Sequence, residues 1–137
     1  MSQMKTTYLG GLRTEGVHLK SGNVLITDAP TDNKGKGEAY SPTDLVCAAL
    51  SSCMITTMGI VADRDQIDVD GITADITKVM AADPRRIGEI IIDLKLPKDK
   101  VARLDDKQRT ILKRTAYHCP VAISLHPEVK QTISFNF

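Results

Sequence analysis

The chain has 137 residues, 42% of them hydrophobic and 26% charged, which is ordinary for a globular protein with one core. Its formal net charge of +1 provides no overall attraction toward nucleic acid or anionic lipid, so neither partner is expected. The N-terminal segment lacks the continuous apolar stretch of a secretory signal. We therefore expect a single domain over residues 1–137, located in the cytoplasm.

The sequence opens with β-strand patterns. Residues 5–9 form an extended segment, and residues 17–20 and 24–27 flank Ser21-Gly22-Asn23, which is typical of a hairpin turn. Residues 28–40 contain proline, asparagine and glycine without apolar periodicity, so they predict a long loop. Long loops of this kind in compact domains are often functional.

The segment from Ser41 to Ala62 predicts the helix around which the rest of the chain is organised. Ser41 fits the N-cap, Pro42 the first helical position, and Asp44 completes a capping box. No charged side chain follows Asp44 within the segment, and apolar or small residues occupy every side of the helix, so we expect it to be buried all round. The run is short for a bilayer crossing and lacks flanking Trp or Tyr, which favours a core helix over a membrane span.

Alternating apolar residues follow this helix. They predict one strand over residues 67–76, with a bulge at Gly71, and a second over residues 90–96. Residues 81–84 provide a turn, so the two strands are expected to form a long antiparallel hairpin.

The C-terminal third predicts two helices and a strand. An amphipathic helix begins at Asp105-Asp106, a short helix begins at Pro120 with Cys119 as its N-cap, and residues 133–137 alternate as a final strand. The order of elements predicts an α+β fold with mainly antiparallel sheet and helices packed on one side.

Three cysteines are the main candidates for chemistry. Their odd number and the absence of a CxxC pair indicate thiols rather than a static disulfide framework. Cys119, at a helix N-terminus beside His118, fits either a stabilised thiolate or a small buried hydrophobe. Cys53 lies in mid-helix, where burial disfavours the thiolate, so alone it is more typical of a core residue. Cys47 lies about 120° around the helix from Cys53 and is interpreted as structural.

Other kinds of site are less consistent with the sequence. His18, His118, His126 and the cysteines are potential metal ligands, but none has the close paired spacing of a zinc motif. No GxSxG elbow suggests a serine hydrolase, and residues 34–37 lack the full phosphate-loop pattern.

Together, the two cysteine contexts resemble a known family. The segment SPTDLVCAALSSCM, with HCPVAISL placing Cys119 66 positions after Cys53, is similar to the OsmC/Ohr family of thiol-dependent peroxidases, and closest to its OsmC-like, YhfA-type branch. The likeness extends to GGLRTEG, the TDAP loop and the terminal strand. It implies an OsmC-like fold of antiparallel sheets with a buried central helix, in an intertwined homodimer with Cys53, Cys119 and Arg13 near the subunit interface.

The resemblance also implies a mechanism. Cys53 would be the peroxidatic cysteine, Cys119 would resolve it through a disulfide, and Arg13 would activate the Cys53 thiol. The substrate would be an organic hydroperoxide and the reductant an external thiol or dithiol, without metal or organic cofactor, as part of an antioxidant stress response. A non-catalytic thiol redox sensor and a small-molecule-binding module of the same fold are the alternatives.

The sequence departs from the family pattern at one position. In the Ohr branch a carboxylate that follows the helix-starting proline holds the arginine, but Thr43 occupies that position here. Asp44 beside it and Glu38 upstream are the candidates to replace that carboxylate.

Overall fold

The computed structural model describes every residue from Met1 to Phe137. The chain forms two compact units, Met1–Val46 and Cys47–Phe137. The single domain over residues 1–137 stays a prediction.

The first unit is a three-stranded antiparallel sheet. Strands β1 (Met4–Gly10), β2 (Arg13–His18) and β3 (Val24–Asp28) lie in the order β1-β2-β3. The predicted hairpin is confirmed, but β2 begins four residues before the expected start and ends at His18, whose N–H donates to the Asn23 carbonyl at 2.9 Å. This earlier start places Arg13 inside the sheet.

The first unit has no buried hydrophobic side chains. Its buried residues are the polar Thr27, Asp28 and Ser41. The sheet instead exposes apolar side chains, including Met4 at 67% and Tyr8 at 64%. Since a three-stranded sheet needs a covered apolar face for stability, this sheet requires a further surface against it.

Helix α1 (Pro42–Arg64) begins with the predicted capping box. The Asp44 N–H donates to Ser41 Oγ at 3.1 Å, and the Ser41 N–H donates to Asp44 Oδ2 at 2.9 Å. These bonds satisfy two backbone donors that the first helical turn leaves unpaired, which explains why the helix begins here.

The expectation that this helix is buried all round is wrong. One stripe of it is buried, formed by Cys47, Leu50, Ser51, Met54, Met58 and Ala62. The other side exposes Ser52, Thr56 and Ile60, the last at 65%. A helix with apolar residues on every side is therefore not necessarily buried on every side by its own chain.

By length and composition, α1 is apolar enough to cross a membrane, with a mean hydropathy of 2.0 in its most apolar window, of which 33% is buried. A core helix meets the same criterion, so this single helix is weak evidence for a membrane span.

The second unit contains a three-stranded sheet of β4 (Thr73–Ala81), β5 (Arg86–Lys95) and β6 (Lys130–Phe135), in the order β4-β5-β6. Strands β4 and β5 form the predicted antiparallel hairpin, whereas β6 pairs with β5 in parallel. The prediction of mainly antiparallel sheet holds for the hairpins and is wrong for β6. The helical segment between β5 and β6 returns the chain to the end of the sheet at which β5 begins, so β6 runs in the same direction as β5.

The predicted strand over residues 67–76 is also corrected. Strand β4 begins only at Thr73, and Gly71 has a φ of +85°, in a turn that precedes the strand. The register shift lies instead between Val79 and Met80. A glycine that breaks apolar alternation here marks a turn with left-handed backbone rather than a bulge.

Three helices lie between β5 and β6. Helix α2 (Lys98–Val101) was not expected, whereas α3 (Asp106–Tyr117) and α4 (Pro120–Ser124) begin as predicted. Asp105 caps α3 by accepting the N–H of Gln108 at 2.7 Å. The hydrophobic core of this unit combines the buried stripe of α1 with side chains of β5, α3, α4 and their connections, chiefly Ile90, Ile92, Leu94, Leu96, Leu104, Leu112, Ala116, Cys119, Ala122 and Phe137. The fold is therefore α+β.

Candidate active site

Cys53 lies in the middle of α1, in the second unit. Its side chain is half-buried and packs against the hydrophobic core. Its carbonyl oxygen accepts a hydrogen bond from Thr57 Oγ1 at 2.7 Å, one turn further along the helix. The thiol is therefore held on a regular helix and keeps partial access to solvent.

Cys119 occupies the sharp connection between α3 and α4. Its backbone is extended, with φ −69° and ψ 150°, and Pro120 begins the next helix. Its side chain turns back over that helix, where Sγ accepts the Ala122 N–H at 3.4 Å, and it is fully buried. The sequence-predicted N-cap is confirmed.

The two thiols interact, and their surroundings distinguish them. Burial raises the pKa of Cys119, the Ala122 N–H opposes this, and the neighbouring Cys53 thiol raises the pKa of Cys119 further. Of the two interpretations left open for Cys119, the buried thiol fits the structure better than the stabilised thiolate. The Nδ1 of the neighbouring His118 donates to the Arg114 carbonyl at 2.8 Å.

Cys47 differs from this thiol pair, by which we mean Cys53 and Cys119. It lies in the buried stripe of α1 and is 3% exposed. None of the three cysteines forms a disulfide in the structure.

Arg13 belongs to a second group of functional candidates, which lies in the first unit. Antiparallel pairing of β2 and β3 sets Arg13 directly opposite Asp28. Both side chains point to the same face of the sheet. Arg13 Nε donates to Asp28 Oδ1 at 2.7 Å and Nη2 donates to Asp28 Oδ2 at 2.8 Å, which makes the contact bidentate. The hydrogen bond from Arg13 holds the pKa of Asp28 below its usual range.

Glu38 is the second carboxylate on this arginine. Its Oε2 accepts a hydrogen bond from Arg13 Nη2 at 3.0 Å, and its own N–H donates to Asp28 Oδ2 at 3.1 Å. Hydrogen bonds to Asp28 and Glu38 raise the pKa of Arg13, so the guanidinium stays charged at all working pH values. We call Arg13, Asp28 and Glu38 the arginine cluster.

The long loop of residues 29–40 gives Glu38 its position. Gly35 crosses the start of the loop so closely that a Cβ atom there would lie 1.6 Å from the Ala29 carbonyl oxygen. The Gly37 N–H donates to the same carbonyl at 3.2 Å. The conformation of the loop therefore depends on glycine at position 35.

The candidate residues thus fall into two groups, the thiol pair and the arginine cluster. Glu38 contacts Arg13, whereas Asp44 lies in the capping box of α1. Asp28 was missed by the sequence reasoning, although the register of the predicted hairpin contained the signal, since extending it by four residues places Asp28 opposite Arg13. No group of three or more His, Cys, Asp or Glu side chains is arranged to hold a metal ion.

Comparison with known proteins defines the family. The family model described as OsmC-like protein matches residues 35–134, so this chain belongs to the OsmC-like family. No curated protein matches it significantly.

Solved structures agree with this assignment. A Psychrobacter arcticus protein, named for a proposed role in the osmotic stress-induced and detoxification response, is 51% identical, with 99% of this chain and 96% of that chain covered and a TM-score of 0.93. The organic hydroperoxide resistance protein OsmC of Legionella pneumophila has a TM-score of 0.76 at 17% identity, covering 98% and 95% of the two chains. An organic hydroperoxide resistance protein from Elizabethkingia anophelis has a TM-score of 0.74 at 14% identity, covering 98% and 96%. The last two likenesses show the fold alone.

Proposed function

We propose that this protein is a thiol-dependent peroxidase that reduces organic hydroperoxides. The observation that carries the proposal is the thiol pair, in which the half-buried Cys53 is near enough to the fully buried Cys119 to raise the pKa of Cys119. A peroxidatic thiol has to meet its substrate, whereas a resolving thiol has only to meet the first sulfur. The difference in burial therefore supports Cys53 as the first thiol to react and Cys119 as the second.

The proposed reaction has three steps. The Cys53 thiolate attacks one peroxide oxygen, the O–O bond breaks, and the alkoxide leaves as an alcohol after taking a proton, so that Cys53 becomes a sulfenic acid. The Cys119 thiol then displaces water from that sulfenic acid to form the Cys53–Cys119 disulfide. An external thiol or dithiol reduces the disulfide and returns both thiols. The scheme requires no metal or organic cofactor.

The arginine cluster would serve the first step. Following the family resemblance, we assign to Arg13 the stabilisation of the Cys53 thiolate and of the charge that develops on the leaving oxygen. The positive charge of a guanidinium near a thiol favours ionisation of that thiol, which the apolar surroundings of Cys53 otherwise oppose.

We further propose that the working form is an intertwined homodimer in the cytoplasm, with the site near the subunit interface. The first unit exposes apolar strands without a core, and α1 exposes Ile60. A second copy of the chain would cover both surfaces, because exposed apolar side chains on a sheet without a core indicate an interaction site.

A coupled peroxidase assay tests the function. With excess dithiol, the protein should turn over cumene hydroperoxide and a lipid hydroperoxide faster than hydrogen peroxide, because apolar groups suit the surroundings of Cys53. Cys53→Ser should abolish turnover, whereas the matched control Cys47→Ala should retain it. A single stoichiometric oxidation without turnover would favour a redox sensor instead, and no oxidation of Cys53 would refute the peroxidase.

A further inference from the structure

We infer that Asp28 is the positioning residue of this site: it orients the Arg13 guanidinium so that one defined edge remains available to an anionic sulfur or oxygen. The inference rests on the proposed function, because it names the residue through which Arg13 would act. Nothing in the family pattern points to this position, since the place of the usual carboxylate is occupied by Thr43.

The hydrogen bonds of the guanidinium define the available edge. Arginine has five N–H donors in a planar fork. Asp28 accepts from Nε and Nη2, and Glu38 accepts from Nη2, so these bonds use the three in-plane donors on Nε and Nη2. The two N–H groups on Nη1 make no hydrogen bond within the chain. They form the donor edge that can bind an anion.

Asp28 is better suited than Glu38 to fix this orientation. Its side chain is completely buried, whereas the Glu38 side chain is 67% exposed. Asp28 contacts the guanidinium through two parallel bonds, which fix both its position and its plane, whereas Glu38 makes a single bond. The backbone of Asp28 is itself held by the pairing with Arg13 and by donation from its N–H to the Tyr40 carbonyl at 3.1 Å.

The charges of the arginine cluster indicate that Arg13 acts through the orientation of its N–H groups and not through a long-range positive field. One guanidinium between two carboxylates leaves a formal charge of −1 on the cluster. The nearby Lys36 cation, which also lowers the pKa of Asp28, brings the sum of these charges only to zero, so at a distance the cluster does not favour a thiolate. Its benefit to an anion must come from direct N–H donation by Nη1, which depends on where the guanidinium points.

Two substitutions separate orientation from charge. Asp28→Asn and Glu38→Gln each remove one negative charge with almost no change in size, but only the first removes the bidentate contact. We expect Asp28→Asn to slow the single-turnover oxidation of Cys53 by cumene hydroperoxide by about tenfold to hundredfold, the range that misplacement of a catalytic group produces. Glu38→Gln should slow this oxidation at least about fivefold less than Asp28→Asn does. Asp99→Asn, an exposed Asp on α2, is the matched control and should leave the rate unchanged.

A double substitution tests whether Asp28 acts through Arg13. In the Arg13→Ala background, Asp28→Asn should slow Cys53 oxidation no further, because the group that it positions is gone. Equal slowing by Asp28→Asn and Glu38→Gln would show that charge alone matters and would overturn the inference. A further slowing by Asp28→Asn in the Arg13→Ala background would overturn it as well.

A spectroscopic measurement keeps the inference separate from the proposed function. The Arg13 Nε–H signal in a nitrogen-15 NMR spectrum should exchange slowly with water in the wild type and in Glu38→Gln, and rapidly in Asp28→Asn. A protein that shows this pattern but never oxidises Cys53 would refute the peroxidase while supporting the positioning. If Asp28→Asn does not fold, Asp28→Glu keeps the charge but displaces the carboxylate, and an Nε–H exchange rate as slow as in the wild type would then overturn the inference.

Discussion

Oxidation of the thiol pair should covalently link two segments of the second unit that are distant in the sequence. One equivalent of an organic hydroperoxide is expected to convert the reduced protein to a form about 2 Da lighter, with the new bond between Cys53 and Cys119. Cys47 should remain a thiol, because it lies in the buried stripe of α1 and carries no part of the proposed reaction. The oxidised form should also be measurably more stable.

The size of that stabilisation follows from the chain length that the bond closes. Cys53 and Cys119 are 66 positions apart, and a loop of this length loses about 4 kcal/mol of unfolded-state entropy at 25 °C. For a chain of this size that corresponds to a rise in Tm of about 12 °C. Strain in the bond would lower the figure.

The assay compares reduced and oxidised protein by differential scanning calorimetry at one concentration, since the Tm of an oligomer depends on concentration. Peptide mapping of the oxidised sample locates the bond. In Cys119→Ser the same treatment should leave a sulfenic acid on Cys53 that dimedone traps, because the resolving thiol is missing. Cys119→Ser should therefore show no rise in Tm.

Three results would refute this reasoning. Sulfenic acid that forms first on Cys119 would reverse the assigned roles. A disulfide that involves Cys47 would show that burial in α1 does not protect the Cys47 thiol from oxidation. A rise of less than about 3 °C for a mapped Cys53–Cys119 bond would mean that forming it strains the native fold by most of what loop closure contributes.

Four further outcomes are expected from the same structure. Arg13→Ala should move the midpoint of Cys53 alkylation by iodoacetamide upward by about one pH unit or more while the fold persists, and an unchanged midpoint would remove Arg13 from the mechanism. Light scattering after gel filtration should give a mass of about 30 kDa for the 15.0 kDa chain at micromolar concentration, and a stable folded monomer would contradict the dimer. Gly35→Ala should lower the Tm and weaken the contact of Glu38 with Arg13, because its Cβ would clash with backbone and the loop has to shift; an unchanged Tm would show that the loop adapts without cost. Since Arg13 lowers the pKa of Asp28 in the folded state, Asp28 contributes stability at neutral pH that is lost as pH falls below about 4, and urea unfolding of Asp28→Asn should show a flatter acid limb than the wild type.

Local signals account for the parts of the fold that the sequence predicted well. The start of α1 follows from Ser41 and Asp44, whose side chains satisfy backbone groups of the first turn, and Cys119 caps α4 because Pro120 can only begin a helix there. These choices involve residues within three positions of one another. They can therefore be read from a short window of sequence.

Pairings between distant segments were predicted less well. Strand β6 pairs with β5 in parallel across 41 positions, from Glu89 to Lys130, and alternation within β6 does not reveal its direction. The exposure of one side of α1 could not be predicted from the sequence for a related reason. Ile60 has the composition of a core residue, and only the number of surfaces that one chain can supply decides whether it is covered.

The arginine cluster lies between these two cases. The sequence proposed Asp44 and Glu38 as partners for Arg13 because both lie near the helix start, and of these two the structure puts Glu38 on Arg13. Asp28 follows from a different rule, because the hairpin turn at residues 19–23 fixes which residues of β2 and β3 face each other, and Arg13 and Asp28 are such a pair. An arginine and an aspartate at opposed positions of a hairpin are worth testing as a bidentate pair even when family patterns place the carboxylate elsewhere. Here that pair buries an acid beneath the guanidinium and leaves its Nη1 edge as the donor.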